Sequence, residues 1–510
     1  MAVFGRVKNR AGTVNPAFQS ASQPPRLDSP FFLVIVAPKR IPGSLHKMRK
    51  PATCRRTGTD HDRVLGWLDA RINYERTPAT SNTSAAFGLQ RMQRLLRSLG
   101  NPHLHCPVVH VAGTKGKGST VAMLAAILQE AGHRVGRYLS PHVHRVEERI
   151  AVNGIPVSAA EFVAAVDRVI PLVEMMDRRA RRRGQRGPTW FEVMTAAAFE
   201  HFAAANVGVT VLETGLGGRL DATNVCRPLT TVITSISHDH MKLLGPTIAK
   251  IATEKAGIIK RGCPVVCGAT QPTAGRVIAE IAARRRAPLL QLGRDFTVHH
   301  AKPSPRRHGL DGVEFDLVMP HFSGPCHYRL AIAGRHQAEN AALAVVAARQ
   351  LADRGIRLSD ASIERGLAKT TLPARIETIS TRPLVVVDAA HNVASMKALA
   401  DTIRPAMKGH STSVLVFAAS GDKQVEKMLA AVRGLFAHVV ITRYLENPRA
   451  APLDRLRRAC AVEGLPRPRD AANPAEALRL AKSIAGVGGI VVVAGSFFLA
   501  AEVGGTESRR

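Results

Sequence analysis

Residues 110–120 read HVAGTKGKGST. The first three close an apolar run, Val108 to Ala112 (VVHVA), that has the composition of a buried strand, and residues 121–131 carry a helical pattern. Between them, Gly113, Gly116 and Gly118 let the backbone come close to a phosphate and turn its N–H groups inward, while the following helix offers its positive end. Lys117 is placed to reach the outer phosphates. The common phosphate loop has Ser or Thr directly after this lysine; here Gly118 intervenes, and Ser119 or Thr120 must supply the hydroxyl. The plainer alternative is a glycine-rich turn joining a strand to a helix.

Outward from this loop, short apolar runs at 207–212, 230–236 and 264–267 alternate with helical stretches, which predicts a mostly parallel sheet covered on both faces. The pattern pauses at 371–381 and restarts with strand-like runs at 384–387, 414–417, 438–442 and 490–493. The expected fold class is α/β. A phosphate-loop ATPase-like domain spans 61–375, and a smaller Rossmann-like α/β domain spans 380–505. Residues 1–60 hold eleven Lys/Arg against two acids, Asp28 and Asp60, and read as a disordered basic extension. They suit either a transit peptide or upstream sequence read from a wrong start. The expected location is cytoplasmic, or mitochondrial if the extension is a transit peptide.

The chain has 510 residues, 45% hydrophobic and 22% charged, which fits a multi-domain globular protein. Its seven cysteines form no CxxC pair, so reduced thiols are expected and a zinc site is not. No apolar run approaches the roughly 18–20 residues of a membrane span. A net charge of +32 suggests anionic partners, but aromatic residues are only 4%, which leaves few platforms for stacking nucleic-acid bases. Small anionic substrates account for the balance equally well. Neither nucleic acid nor membrane is expected as a partner, and a monomer is expected. One dense block, RRARRRGQR at 178–186, reads as a solvated basic loop.

The loop resembles that of the Mur ligase superfamily, and its GKGS ending is similar to the folylpolyglutamate synthase/dihydrofolate synthase branch. Further segments agree in order: Ser140-Pro141-His142, Glu148-Arg149-Ile150, LETGLGGRLDATN (212–224), DHMKLLGPTIAKIATEKAGIIK (239–260), GRHQAENAALA (334–344), PARIE (373–377), DAAHN (388–392) and GSFFLAAEV (495–503). The resemblance implies an ATP-dependent ligase that adds L-glutamate to a folate, and to dihydropteroate, through an acyl phosphate. It implies ATP and Mg2+, with a monovalent cation as a further candidate. ATP would be held by Gly116, Lys117, Gly118, Ser119, Asn340, Arg375 and Asp388, and the metal by Ser119, Ser140, Glu213 and His240. Lys255 is similar to a family lysine that is carbamylated. His391 and Ser496 resemble residues that receive glutamate, and Thr189, Leu220, Asp221 and Ala222 resemble pterin contacts, with residues 87–89 a weaker candidate. Lys117, Lys255, Arg375 and His391 form the expected catalytic set.

Each assignment has a plainer counterpart. Glu213 could be a surface carboxylate, Ser140 a turn residue, His240 a core histidine and Lys255 a surface partner of Glu254. His391 could be a local cap, Ser496 part of a Gly-Ser turn, and Arg219 an ion-pair partner of Asp221. The departures from the family pattern are Leu372-Pro373-Ala374 before Arg375, DAAHN, and Asp422-Lys423-Gln424. The rivals are a Mur-type ligase with another acceptor and a basic nucleic-acid-binding phosphate-loop protein.

Overall fold

Eight strands form the largest sheet: β1 (Val108–Ala112), β2 (Val135–Tyr138), β3 (Ile150–Val152), β4 (Ile155–Pro156), β5 (Val209–Glu213), β6 (Pro228–Ile233), β7 (Val265–Cys267) and β8 (Leu289–Gln291). Their order is β4-β3-β2-β5-β1-β6-β7-β8. Pairing is parallel from β2 to β8 and antiparallel at β2–β3 and β3–β4. The structure, a computed structural model, describes residues 59–75, 88–303, 310, 312–319, 324–445 and 447–507. The basic extension, apart from its last two residues, and Phe87 lie outside the described residues.

The central strands are buried along their whole length, which is why they read as continuous apolar runs. The helix Lys117–Glu130 leaves the end of β1 and is covered by two others, Arg335–Ala352 and Asp360–Lys369. That makes it a core element, with every residue from Ser119 to Ala125 buried. Alanines line the inner face of Arg335–Ala352, and small side chains let the helices approach closely.

A three-stranded antiparallel sheet follows, β9 (Thr297–Pro303), β10 (Val313–Val318) and β11 (Cys326–Leu330), in the order β11-β10-β9. It is absent from the sequence expectation. Phe315, Leu317, Tyr328 and Leu330 turn inward while Asp316, His327 and Arg329 turn outward, so a period of two, not an apolar run, marks it.

A third sheet, ordered β12-β13-β17-β14-β15-β16, joins β12 (Glu377–Thr381), β13 (Leu384–Val387), β14 (Ser413–Phe417), β15 (His438–Ile441), β16 (Arg469–Asp470) and β17 (Ile490–Ala494). All neighbours are parallel except β12–β13. The pause expected over 371–381 therefore contains an edge strand. The basic block is also corrected: Arg178, Arg179 and Arg181 end the helix Ala159–Arg181, where arginines favour the negative helix terminus. Among the described residues no helix is long and apolar enough to cross a membrane.

Gly366 marks the closest helix contact. A Cβ there would stand 2.5 Å from the Ile127 Cα. Gly366→Ala should destabilise the protein by about 1–3 kcal/mol through overpacking, against a gain of roughly 1 kcal/mol in helix propensity. Denaturant midpoints measure the balance, and a stabilised variant would show that the two helices can move apart.

Candidate active site

The glycine loop runs from the carboxyl end of β1 into the helix Lys117–Glu130, with Gly116 at φ 83°. A Cβ on Gly116 would fall 2.1 Å from Asn340 Oδ1, so only glycine lets the loop lie against the start of the helix Arg335–Ala352. Asn340 is itself fixed by donating from Nδ2 to Gln337 Oε1 at 3.0 Å. The loop's far side is tied to β6: Thr114 N donates to the Ser235 carbonyl, and Thr234 Oγ1 donates to the Lys115 carbonyl. Gly118 lies beside Glu213, whose Oε2 would be 3.4 Å from an added Cβ.

Glu213 ends β5 and is only 4% exposed. Lys117 Nζ is 3.7 Å from its Oε1, and the Ser140 N–H donates to its Oε2 at 3.2 Å. Burial raises the pKa of this carboxyl, while Lys117, the Ser140 N–H, Arg375 and Arg149 pull it back. Ser140 Oγ is buried with no hydrogen-bond partner. An orphaned hydroxyl beside a buried carboxylate is a donor set that suits a hard divalent cation, which takes oxygen ligands. His240 is half-exposed, stands just before the short helix Met241–Leu244 without a side-chain capping bond, and lies 3.9 Å from Asp239; it is not a core histidine.

Lys255 is 4% exposed and donates from Nζ to the Gly113 carbonyl at 2.6 Å. Burial, aided by Lys117, lowers its pKa to about 7 against the pull of Asp239, Asp221 and Glu213. The surface pairing with Glu254 does not occur, because Glu254 holds Arg219 at 2.9 Å. That contact also replaces the expected Arg219–Asp221 pair.

A phosphate loop, a buried carboxylate and a buried lysine thus meet at the carboxyl ends of parallel strands, where ligands bind in open α/β sheets. Residues 173–348 match the Mur ligase middle domain, and residues 374–497 match the Mur ligase glutamate ligase domain. A dihydrofolate synthase/folylpolyglutamate synthase of Bacillus subtilis is 38% identical over 449 residues, covering 87% of this chain and 98% of that protein. The chain belongs to the dihydrofolate synthase/folylpolyglutamate synthase family. Its fold is that of Mycobacterium tuberculosis folylpolyglutamate synthase complexed with ADP and AMPPCP, with a TM-score of 0.78, 33% identity and coverage of 88% and 99% of the two chains. Escherichia coli FolC in complex with DHPP and ADP matches at a TM-score of 0.72 and 29% identity, covering 88% and 98%.

In this family member the third sheet supplies the opposite wall. Arg375 precedes β12, and its guanidinium carbon stands 4.7 Å over the Phe497 ring. Burial lowers the pKa of its guanidinium, against the pull of Asp388 and Glu213. Asp388, at the end of β13, accepts from the Ile376 and Ala390 N–H groups at 2.9 and 2.8 Å, so it shapes the turn that presents Arg375. His391 packs on the same Phe497 ring with centroids 5.3 Å apart, its Nδ1 3.0 Å from the Ala389 carbonyl. Burial lowers its pKa to about 4. The local cap belongs to Asn392, not His391. Ser496 Oγ accepts from the Phe498 N–H at 3.1 Å, as a turn residue would.

The expected pterin contacts occupy the other flank. Thr189 caps the helix Trp190–Ala204 in a reciprocal pair with Glu192. Leu220 is half-buried and Ala222 buried. Asp221 is buried and caps the turn Ala222–Val225.

Sequence reasoning passed over several groups. Arg149 is 1% exposed, forms a two-pronged pair with Glu75, donates to His142 Nδ1 and stacks on Trp190. The charges of Asp239 and Lys423 act on both His391 and His240, and Phe497 packs against both Arg375 and His391. Each lies in or beside a quoted motif, which was the available signal.

The depressed Lys255 pKa fixes a sign. The unfolded chain binds the proton that the folded state releases between about pH 7 and the ordinary lysine value, so this residue's contribution to stability rises with pH over that interval. Comparing Lys255→Met with the parent in carbonate-free buffer, the stability difference (variant minus parent) should be largest near pH 6 and shrink toward pH 10. A flat difference would place the lysine charge in solvent.

Proposed function

We propose that this protein is an ATP-dependent ligase that joins L-glutamate to the carboxylate of folates and of dihydropteroate. The observation that carries the reading is the glycine loop with Lys117 3.7 Å from the buried Glu213, in a chain whose relatives bear these ligase names along almost their whole length. The reaction has two steps. A carboxylate oxygen of the pterin substrate attacks the γ-phosphorus of ATP, giving an acyl phosphate and ADP. The glutamate amine, having lost its proton, attacks the acyl carbon and expels phosphate.

Positioning and charge neutralisation provide most of the catalysis in such a phosphoryl transfer. Gly116, Gly118 and Ser119 cradle the phosphates, Lys117 neutralises their outer charge, and Asn340 stands where it can meet the adenine. Ser119, Ser140 and Glu213 fit magnesium, with His240 at the margin. That ion, when bound, would draw off charge on the transferred phosphoryl group. Lys255 is a candidate for carbamylation, which needs a neutral amine, and burial among cations favours that form. Arg375 belongs to the glutamate-ligase half (380–505) in its action: closure of that half on the ATP-binding half (61–375) brings the guanidinium to the phosphates. Asp388 orients the turn beneath it. His391 and Ser496 form the glutamate side, and Leu220, Asp221 and Ala222 the pterin side with Thr189. A cytoplasmic monomer is the state we expect.

The reading is tested by ADP release with dihydropteroate or tetrahydrofolate, each with and without glutamate. Release should require both organic substrates. Glu213→Gln should lower the rate about a hundredfold or more, the scale of losing an electrostatic stabiliser, with partial rescue by excess magnesium. Unchanged magnesium dependence would remove Glu213 from the metal site. Arg375→Ala should lower kcat more than it raises the KM for ATP, since its contact forms on closure. A pure affinity loss would contradict that role.

A further inference from the structure

His110 lies within β1, three residues before Gly113, and is fully buried. Its Nε2 is 2.8 Å from Thr223 Oγ1, while its Nδ1 is buried with no partner. Thr223, also fully buried, is hydrogen-bonded through the same Oγ1 to Asp221 Oδ1. Asp221 Oδ1 accepts from the Thr223 N–H at 3.0 Å, and its Oδ2 accepts from the Leu216 N–H at 2.9 Å. The proton positions follow by elimination. Burial raises the Asp221 pKa, while the Thr223 hydroxyl and the N–H groups of Leu216, Thr223 and Gly215 pull it back; as a carboxylate it only accepts, so the single Thr223 hydroxyl proton points to Asp221. Thr223 can then only accept from His110, which must carry its proton on Nε2 and leave Nδ1 bare.

We infer that His110 is a positioning residue. As the neutral Nε2–H tautomer it fixes the Thr223 hydroxyl, and through it the buried Asp221 carboxylate that shapes the loop on the pterin side, tying that loop to the strand that leads into the phosphate loop. This rests on the pterin role given to Asp221 above. The relay has no slack, because each member has one direction open. Reversing Thr223 would set its oxygen lone pairs against the carboxylate. Protonating His110 would bury a cation near Lys260, which together with burial lowers its pKa to about 3. Asp221 spends its lone pairs on the Thr223 hydroxyl and on the N–H groups of Leu216, Thr223 and Gly215, so the carboxylate fixes the loop on which its neighbours Leu220 and Ala222 would meet the pterin. The relay holds that loop without touching the substrate.

The experiment pairs steady-state kinetics with a direct reading of the tautomer. Thr223→Val and His110→Phe keep shape and remove one donor each. Both should raise the KM for dihydropteroate about tenfold, with kcat and the KM for ATP within about twofold, and Thr223→Ser should restore the parent value. In the 15N spectrum of His-labelled parent enzyme, assigned by difference from His110→Phe, Nε2 should carry the proton at pH 5 and pH 8. Parallel loss of both KM values, an unchanged KM in Thr223→Val, or a proton on Nδ1 would overturn the proposal. Should the valine and phenylalanine variants not fold, the chemical shifts of the parent, assigned through Thr223→Ser, decide it. A parent enzyme that releases no ADP with either dihydropteroate or tetrahydrofolate in the presence of glutamate would instead remove the ligase reading, while the tautomer would still test the relay.

Discussion

Removing a carboxylate from water is among the costlier steps a fold can take unless charge and hydrogen bonds replace the lost hydration. Glu213 sits in that position at the end of β5, and the surrounding chain is arranged around its needs. Lys117 comes from the helix after β1, Ser140 from the turn after β2, Arg149 from the turn before β3, and Arg375 from the approach to β12. Three distant parts of the chain, around Lys117, Ser140–Arg149 and Arg375, therefore share one electrostatic requirement. Arg149 in turn needs Glu75, His142 and Trp190 around its guanidinium. The site is not a set of side chains laid on a finished scaffold; satisfying Glu213 helps decide where the loops lie.

The glycine loop is held from two sides for a related reason. Asn340 presses on Gly116, and Lys255 draws the Gly113 carbonyl toward itself. A loop whose N–H groups must face a phosphate has to be rigid before the phosphate arrives, because ordering it during binding would cost affinity. Using a lysine for one of these ties has a second effect. The amine is kept nearly dry and beside Lys117, so its charge is weakly held and its chemistry changes from that of a surface ammonium.

The buried parallel strands were legible because both faces are covered, so β1, β5, β13, β14, β15 and β17 stand out as plain apolar runs. The sheet β9–β11 and the edge strand β12 were not, since only alternate residues are apolar or half the strand meets solvent. Site residues within short, charged motifs could be named from the sequence. Their partners could not, because a pair such as Arg149 with Glu75, or Arg219 with Glu254, exists only once distant segments meet. The same limit explains Thr189. It was named as a pterin contact by resemblance alone, and that its hydroxyl is taken up by the cap with Glu192 is a property of the folded helix start.

The net charge of +32 has little to do with the chemistry of the cleft. There Lys117, Lys255 and Arg375 stand against Glu213, Asp239 and Asp388, which is close to balance. The surplus lies elsewhere, including Arg178, Arg179, Arg181, Arg182, Arg183 and Arg186, all exposed. At physiological ionic strength the Debye length is about 8 Å, so such outer charges are screened from a transferring phosphoryl group but still bias the approach of anionic substrates. A balanced interior also serves the reaction, because an uncompensated cluster of buried cations would bind the product phosphate tightly.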